Sequence, residues 1–471
     1  MHPFRAFALP LLTLIATPAA AQDLTAAETA KIDTIVTDSL AKSGVPSASI
    51  AVVRDGKIVF AKAYGKQSES IVDARADAPY QIASISKQFT AAAILLLEDQ
   101  GKLSLDDKVA KWIPGITGGD QISIRQLLSH TAGLQDYWPQ DYLFTAMEKP
   151  TTPQGIVDLW AKKPLDFVPG AAWQYSNTGY VVAGMIVEKA AGMPLLAFLQ
   201  KNIFKPLGMK AMDQDLAVGK AYPQGYHRYA LGPVRIATTP ARGWLFAAGE
   251  LSMSASDLAK WDIARMNRSL LPADDWQAQE TPVKLTDGKD TGYGLGVVAG
   301  IRNGQRFVEH SGEAVGFLSE NIVFPDAKVA VVVLVNADYS DAYTSIAGNI
   351  AKTILPATAP PPAPVDPEGA KTAQARAVFD KLRVGTVDRS TMTDDSNYYF
   401  NATVLGDYRD SLGKLGDPKE FRATRPARLR GGFVNRNYSV VYPDGTKLTI
   451  VTYAEPGDTG RYEQFIVMPA E

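Results

Sequence analysis

Ser84 and Lys87 stand three residues apart in Ser84-Ile85-Ser86-Lys87, at the entrance of an almost wholly apolar run from Phe89 to Leu97. A serine hydroxyl is a poor nucleophile until a nearby base takes its proton. Residues at i and i+3 share a helix face, so the lysine amine can stand beside the hydroxyl. A serine at a helix start also sits where free backbone amides can hold a developing oxyanion. A lysine pointed into a poorly solvated interior favours its neutral form, and a neutral amine is a base. The spacing alone is weak, because Ser39–Lys42 and Ser411–Lys414 repeat it. Ser39 lies near the end of an amphipathic segment and Ser411 lies close to two glycines. Only Ser84 opens a buried helix.

Two further segments carry matching chemistry. In Tyr175-Ser176-Asn177 a tyrosine lowered in pKa by a neighbouring ammonium would act as phenolate base or proton relay. Asn177 can both donate and accept, which suits it to orient Lys87 and a substrate amide. Tyr399-Phe400-Asn401 repeats that spacing in a different part of the chain. In His310-Ser311-Gly312, at a strand end, the glycine would let a substrate backbone approach the strand edge, and the imidazole would hydrogen-bond the tyrosine or an acyl carbonyl.

These segments need a frame. Thr25 and Glu28 form a capping-box pattern ahead of Ile32, Ile35, Val36 and Leu40, an amphipathic helix that Gly44-Val45-Pro46 stops. Ala48 to Arg54 and Ile58 to Tyr64 read as a hairpin turned at Asp55-Gly56. The run from Phe89 has no polar face and closes at Gly101, as a helix buried on all sides would. A middle region to about Asp275 holds short helices and loops. Strand signals return at Tyr293 to Ala299, Phe307 to His310, Leu318 to Phe324 and Val329 to Val335, before a helix from Asp341 to Leu355. The simplest packing joins the N-terminal hairpin to these late strands in one antiparallel sheet covered by helices. Pro356 to Pro367 reads as a stiff linker. The tail beyond it, residues 368–471, reads as a small α+β domain. Its helices are Ala370 to Leu382 and Tyr408 to Leu415, its strands Phe433 to Tyr442, Lys447 to Tyr453 and Arg461 to Val467. No catalytic set is visible in the tail, and Tyr438, Tyr442 and Tyr453 read as its core. Trp173 and Tyr180 read as packing residues, and His130 as a structural residue of the loop after a helix from Ile124 to Ser129.

Composition narrows the chemistry. The formal charge is −2 with no long basic run, which argues against nucleic acid as a partner. There is no cysteine, so thiolate chemistry and thiolate metal sites are excluded. His130, His227 and His310 are scattered and form no H-E-x-x-H pair, so neither metal nor cofactor is expected. Residues 1–21 show a short positive start, an apolar run and Ala19-Ala20-Ala21, the pattern of a cleaved signal peptide. The apolar run is shorter than the roughly 20 residues that span a bilayer. The expectation is a periplasmic or secreted protein with no integral membrane segment after cleavage.

In the order Ser84-x-x-Lys87, Tyr175-x-Asn177, His310-x-Gly312, the chain resembles the β-lactamase-related serine hydrolases. That family includes class C β-lactamases, D-alanyl-D-alanine carboxypeptidases, D-aminopeptidases and esterases; a sister set of motifs is S-x-x-K, S-D-N, K-T-G. Leu127-Leu128-Ser129-His130-Thr131-Ala132-Gly133-Leu134, and Ala248-Gly249 running on to Ser256-Asp257-Leu258, fit the same resemblance, which covers roughly residues 24–355. It implies an α/β/α sandwich with an antiparallel sheet beside an all-helical lobe, in a domain spanning residues 22–355. It also implies an acyl-serine mechanism in which Ser84 attacks and Lys87 and Tyr175 move its proton. His310 would assist, and the amides of Ser84 and Glu313 would form the oxyanion hole. Asn177, Ser311, Gly312 and Glu313 would hold the substrate.

Class C β-lactamases typically carry lysine where this chain has His310, and histidine there resembles the carboxypeptidase and D-aminopeptidase branches. The resemblance therefore implies a D-amino-acid peptidase acting on a small peptide, such as a peptidoglycan stem peptide. The alternatives are a carboxylesterase of the same family and a non-hydrolysing penicillin-binding or cell-wall-binding protein.

Overall fold

The structure, a computed structural model, describes residues 23–355 and 368–470. The signal-peptide pattern and the proline-dense linker fall outside them. Among the described residues no single helix is long and apolar enough to cross a membrane.

A six-stranded antiparallel sheet organises the larger part of the chain. From edge to edge its strands are Lys57–Gly65, Ser47–Arg54, Val329–Val335, Phe317–Phe324, Gln305–Ala314 and Val298–Arg302. The expected union of the N-terminal hairpin with the late strands is therefore present, with Ala48 opposite Val335 and Arg54 opposite Val329. Strand side chains alternate between faces, and this divides the central strand between two cores. Val329, Val331, Val333 and Val335 join Ile32, Val36, Ile346 and Ile350 of the two outer helices, Ala26–Ser43 and Ala342–Ile354. Ala330, Val332 and Leu334 join the helical lobe on the other face. With both faces covered, the strand reads as an unbroken apolar run.

The outer helix starts at the capping box of Thr25 and Glu28 and ends at Gly44 in the left-handed region. Within the lobe, the helix Lys87–Asp99 is buried from Lys87 to Leu95. The α/β/α sandwich and helical lobe stand as expected. One strand is displaced: residues 293–297 form a glycine-rich loop, and the edge strand begins only at Val298. Gly296, at φ 79°, lies so close to Lys87 that a Cβ would meet its carbonyl oxygen at 2.8 Å, which a regular strand could not accommodate.

The C-terminal part forms a second antiparallel sheet, ordered Glu420–Ala423, Phe433–Val441, Lys447–Ala454, Tyr462–Pro469, with Arg428–Arg430 also paired to Phe433–Val441. One face packs Tyr438, Leu448, Ile450 and Phe465 against the helices Gly369–Leu382 and Ala402–Leu412. Tyr453 corrects the sequence expectation. It pairs with Asn435 on the opposite face, outside that core, and hydrogen-bonds Arg430. Two short strands and the helix Asp394–Tyr399 were also not anticipated. The two parts of the chain are tied by hydrogen bonds. Asp141 N–H donates to Gln464 at 2.6 Å, the Tyr142 hydroxyl donates to the Glu463 carbonyl, and Leu231 N–H donates to Ser411 Oγ at 3.3 Å.

Candidate active site

Ser84 lies in a single helical turn, Ala83–Ser86, that leads directly into the buried helix. Ala83 has φ 46°, a left-handed conformation that costs a non-glycine residue about 1–2 kcal/mol. The surroundings hold it there. Ile82 N–H donates to Leu251 O at 3.0 Å, Leu251 N–H donates to Ser86 Oγ at 3.2 Å, and Ser319 Oγ–H donates to Ile82 O at 3.1 Å. Gly312 belongs to this clamp: a Cβ there would sit 2.1 Å from Ile82 O. The glycine is needed by the segment that carries the nucleophile, in addition to any need of a substrate.

Lys87 is fully buried, and its Nζ lies 3.0 Å from Ser84 Oγ, 2.8 Å from Asn177 Oδ1 and 2.6 Å from Ala248 O. The Asn177 amide orientation follows from its other partners, Asp136 Oδ2 at 3.2 Å and Trp138 O at 3.3 Å, which can only accept from Nδ2. Lys87 thus faces two obligate acceptors and one hydroxyl. A neutral amine satisfies both acceptors with its two N–H bonds and turns its lone pair to Ser84. Burial drives the amine well below its ordinary pKa. Asp136 opposes that shift and Arg430 adds to it. Asn177 Oδ1 therefore accepts from Lys87, while its NH2 is spent on Asp136 and Trp138.

Tyr175 is within hydrogen-bonding reach of the Ser84 side chain, and Lys87 Nζ lies 4.9 Å from its ring centre. Its pKa departs from expectation: burial pushes the phenol above its ordinary value, outweighing the hydrogen bond from Ser84 and the charge of Arg430. At neutral pH it is an O–H group, suited to relay a proton rather than to act as a standing phenolate.

His310 is buried and its ring centre lies 6.2 Å from that of Tyr175. Its hydrogen bonds, however, run elsewhere. Nδ1 is 2.6 Å from Ser311 O, a carbonyl that can only accept, so Nδ1 carries the proton and Nε2 accepts from Tyr293 O–H at 2.8 Å. Burial, then the charge of Lys87, lowers the imidazole to about 3. Of the two partners expected for it, Tyr175 or an acyl carbonyl, Tyr175 is not bonded to His310, whose Nε2 is taken by Tyr293. In the sequence Tyr293 opens an expected strand and belongs to none of the three motifs. His130, at φ 59°, accepts from Ser176 N–H at 3.1 Å and packs its ring 4.2 Å from that of Tyr175. It supports the tyrosine segment as well as its own loop.

The strand Gln305–Ala314 turns to Phe317–Phe324 through Val315-Gly316, with Ala314 opposite Phe317. Alternation from that closing pair turns the Ser311 and Glu313 amides to the other edge. There the neighbouring strand has ended, since its pairing stops at Val298–Glu309. Ser311 and Glu313 line a cavity of about 410 Å3 together with Ser84, Tyr175, Asn177 and His310. Trp173 lines it too; Tyr180 instead donates from its hydroxyl to Leu128 O at 2.6 Å. Of the competing serines, Ser39 is buried in the first helix and Ser411 accepts a bond from Leu231.

The cavity has a second wall that the sequence did not announce. Arg430, Asn437, Val451, Tyr453 and Ile466 of the C-terminal sheet all face it. Arg430 reaches furthest, bonding Asp141 Oδ1 at 3.2 Å and standing 3.7 Å from Asp136. One arginine among several in a short, polar edge segment carries no sequence signal for such a placement.

The family model described as Beta-lactamase matches residues 32–353, more than half of the chain. The chain belongs to the beta-lactamase family. The resemblance read from three ordered motifs is thereby confirmed. Among related sequences, penicillin-binding protein 4* of Bacillus subtilis is 32% identical over 293 residues, covering 59% of this chain and 64% of that protein. The chain thus spans less than two thirds of that relative. Among solved structures, a D-stereospecific amidohydrolase from Streptomyces is 29% identical with a TM-score of 0.60, covering 69% of this chain and 98% of that one. The octameric penicillin-binding protein homologue from Pyrococcus abyssi has a TM-score of 0.61 at 22% identity and covers 93% of this chain and 99% of that one. At that identity the likeness speaks for the fold alone, and its reach includes the C-terminal sheet.

Proposed function

We propose that this member of the beta-lactamase family is a serine hydrolase that cleaves an amide or ester through an acyl-serine, with a D-amino-acid peptide as its substrate class. The observation that carries the reading is the buried Lys87 amine, held 3.0 Å from Ser84 Oγ by two acceptors that consume its N–H bonds. In the acylation step Ser84 Oγ attacks the carbonyl carbon while its proton passes to Lys87 Nζ. The carbonyl oxygen takes the negative charge beside the Ser84 and Glu313 amides. Lys87, with Tyr175 as relay, returns the proton to the leaving nitrogen or oxygen as the carbonyl–leaving-group bond breaks. Water then repeats the sequence on the acyl-serine. His310 and Tyr293, both neutral, hold the wall of the site.

The peptide preference rests on His310 at the start of the third motif and on likeness to the D-stereospecific amidohydrolase. Carboxylesterase action is the second reading, since the same residues serve an ester with a better leaving group. A periplasmic or secreted location is proposed on the pattern of residues 1–21. A p-nitrophenyl ester and a D-alanyl-D-alanine peptide assayed side by side test the substrate class. Labelling by a fluorophosphonate probe tests Ser84. Ser84→Ala is expected to abolish labelling, and labelling that survives would overturn the assignment. Stable penicillin labelling with turnover of neither substrate would leave a binding protein in its place.

A further inference from the structure

The three arginines that the C-terminal sheet presents to the cavity are not alike. Arg430 is matched by Asp141 and Asp136. Arg425 and Arg428 form no ion pair among the described residues, although both line the cavity. Both are held by neutral oxygens. Asn435, buried with its Nδ2 donating to Thr452 O at 3.1 Å, receives Arg425 Nη2 at 2.8 Å and Arg428 Nε at 3.3 Å on its Oδ1. Arg425 Nη2 also donates to Asn437 Oδ1 at 3.0 Å. Arg425 Nε is buried without a partner. Four carboxylates line the same cavity, Asp141, Glu313, Asp338 and Asp341; Asp141 is already bonded by Arg430 at 3.2 Å and by Gln464 Nε2 at 2.7 Å, and Asp338 accepts from Gly316 N–H at 2.7 Å.

Two guanidiniums gathered on one amide oxygen repel each other; Arg428 is exposed, and Arg425 is half-buried with its Nε shut away from solvent. Burial and Arg428 together push Arg425 down to about 10, so it still carries its charge at neutral pH. The arrangement holds two cations oriented, without an ion pair among the described residues, in the cavity that Ser84 also lines. Leu429, Val451, Ile466 and Met468, which line the same wall, are apolar. That mixture fits an organic anion with an apolar body.

Resting on the hydrolase reading above, we propose that Arg425 and Arg428 form a carboxylate-binding subsite, built by the C-terminal domain, for an acidic group of the peptide substrate. The carboxylate belongs to the peptide terminus or to an acidic side chain, and a guanidinium's planar donors suit either.

The test separates binding from turnover by using the full chain with Ser84→Ala. Calorimetry compares N-acetyl-D-alanyl-D-alanine, its C-terminal amide, and an amidated peptide of equal length bearing an acidic side chain. The expected result is at least about 10-fold tighter binding of one acid over the neutral amide, as a charge-assisted hydrogen bond supplies. Whichever acid wins identifies the source of the carboxylate. In R425Q/R428Q on the same background, with folding checked by circular dichroism, the preference is expected to shrink to within about threefold. Equal affinity of acid and amide, including no binding by either, overturns the subsite, as does a preference undiminished in R425Q/R428Q. Failure of the hydrolase reading shows separately, as loss of Ser84 labelling and turnover in the unsubstituted protein.

Discussion

Arg430 and Tyr175 are joined by a parallel β-bridge that brings a strand of the C-terminal sheet against the motif carrying the phenol. The Arg430 guanidinium lies 5.4 Å from the Tyr175 ring centre, and its Nε lies 3.7 Å from Asp136. Asp136 accepts from Asn177, and Asn177 accepts from Lys87. A line of charge and hydrogen bonds thus connects the second domain to the nucleophile.

Asp136→Asn tests that line. Asp136 raises the Lys87 pKa and offsets Arg430, which lowers it. Removing the carboxylate therefore lowers the Lys87 pKa and leaves the effect of Arg430 unopposed. Activity that needs the neutral amine rises with pH through that pKa, so the acidic limb of kcat/KM should move to lower pH. Asparagine keeps an oxygen for the Asn177 and Trp138 amides. A pH–rate profile on a neutral ester reads the shift, and a limb moved upward would contradict the network.

Lys87→Arg brings in a guanidinium that stays charged and cannot supply a neutral amine. Fluorophosphonate labelling should slow by roughly 10²–10⁴-fold, the usual worth of a positioned general base. Labelling within a few-fold of the unsubstituted protein would remove Lys87 from the role of base.

Tyr293→Phe deletes the donor that satisfies His310 Nε2 inside the protein. Leaving a buried acceptor unpaired costs about 1–3 kcal/mol. Urea unfolding should show a lower midpoint with an unchanged slope. An unchanged midpoint would mean that water or another donor replaces the phenol.

Acid stability follows from His310. Its folded pKa is lowered to about 3, against an ordinary value of 6.5. Between those values the unfolded chain binds a proton that the folded chain does not, so stability falls as pH falls. The slope from this group is about 1.4 kcal/mol per pH unit. It should flatten in His310→Gln, as read by denaturant titrations between pH 4 and pH 6, relative to the unsubstituted protein.

Local order carried much of the design. Period-two alternation, the capping box at Thr25, the Asp55-Gly56 turn and the unbroken apolar run after Ser84 fixed which elements form, because each depends on near neighbours. Ser84, Lys87, Tyr175, Asn177 and His310 were legible because their order is shared across a family. What local chemistry does not encode is which nitrogen meets which oxygen. Tyr293 took the His310 Nε2 that Tyr175 or an acyl carbonyl was expected to meet, and burial raised the Tyr175 phenol where a neighbouring ammonium was expected to lower it. Arg425, Arg428 and Arg430 have no spacing or motif in the sequence that sets them apart from other charged residues. Only the docking of the second sheet against Tyr175 and Asp141 turned them toward the cavity, since charge placement between domains depends on contacts far apart in the chain.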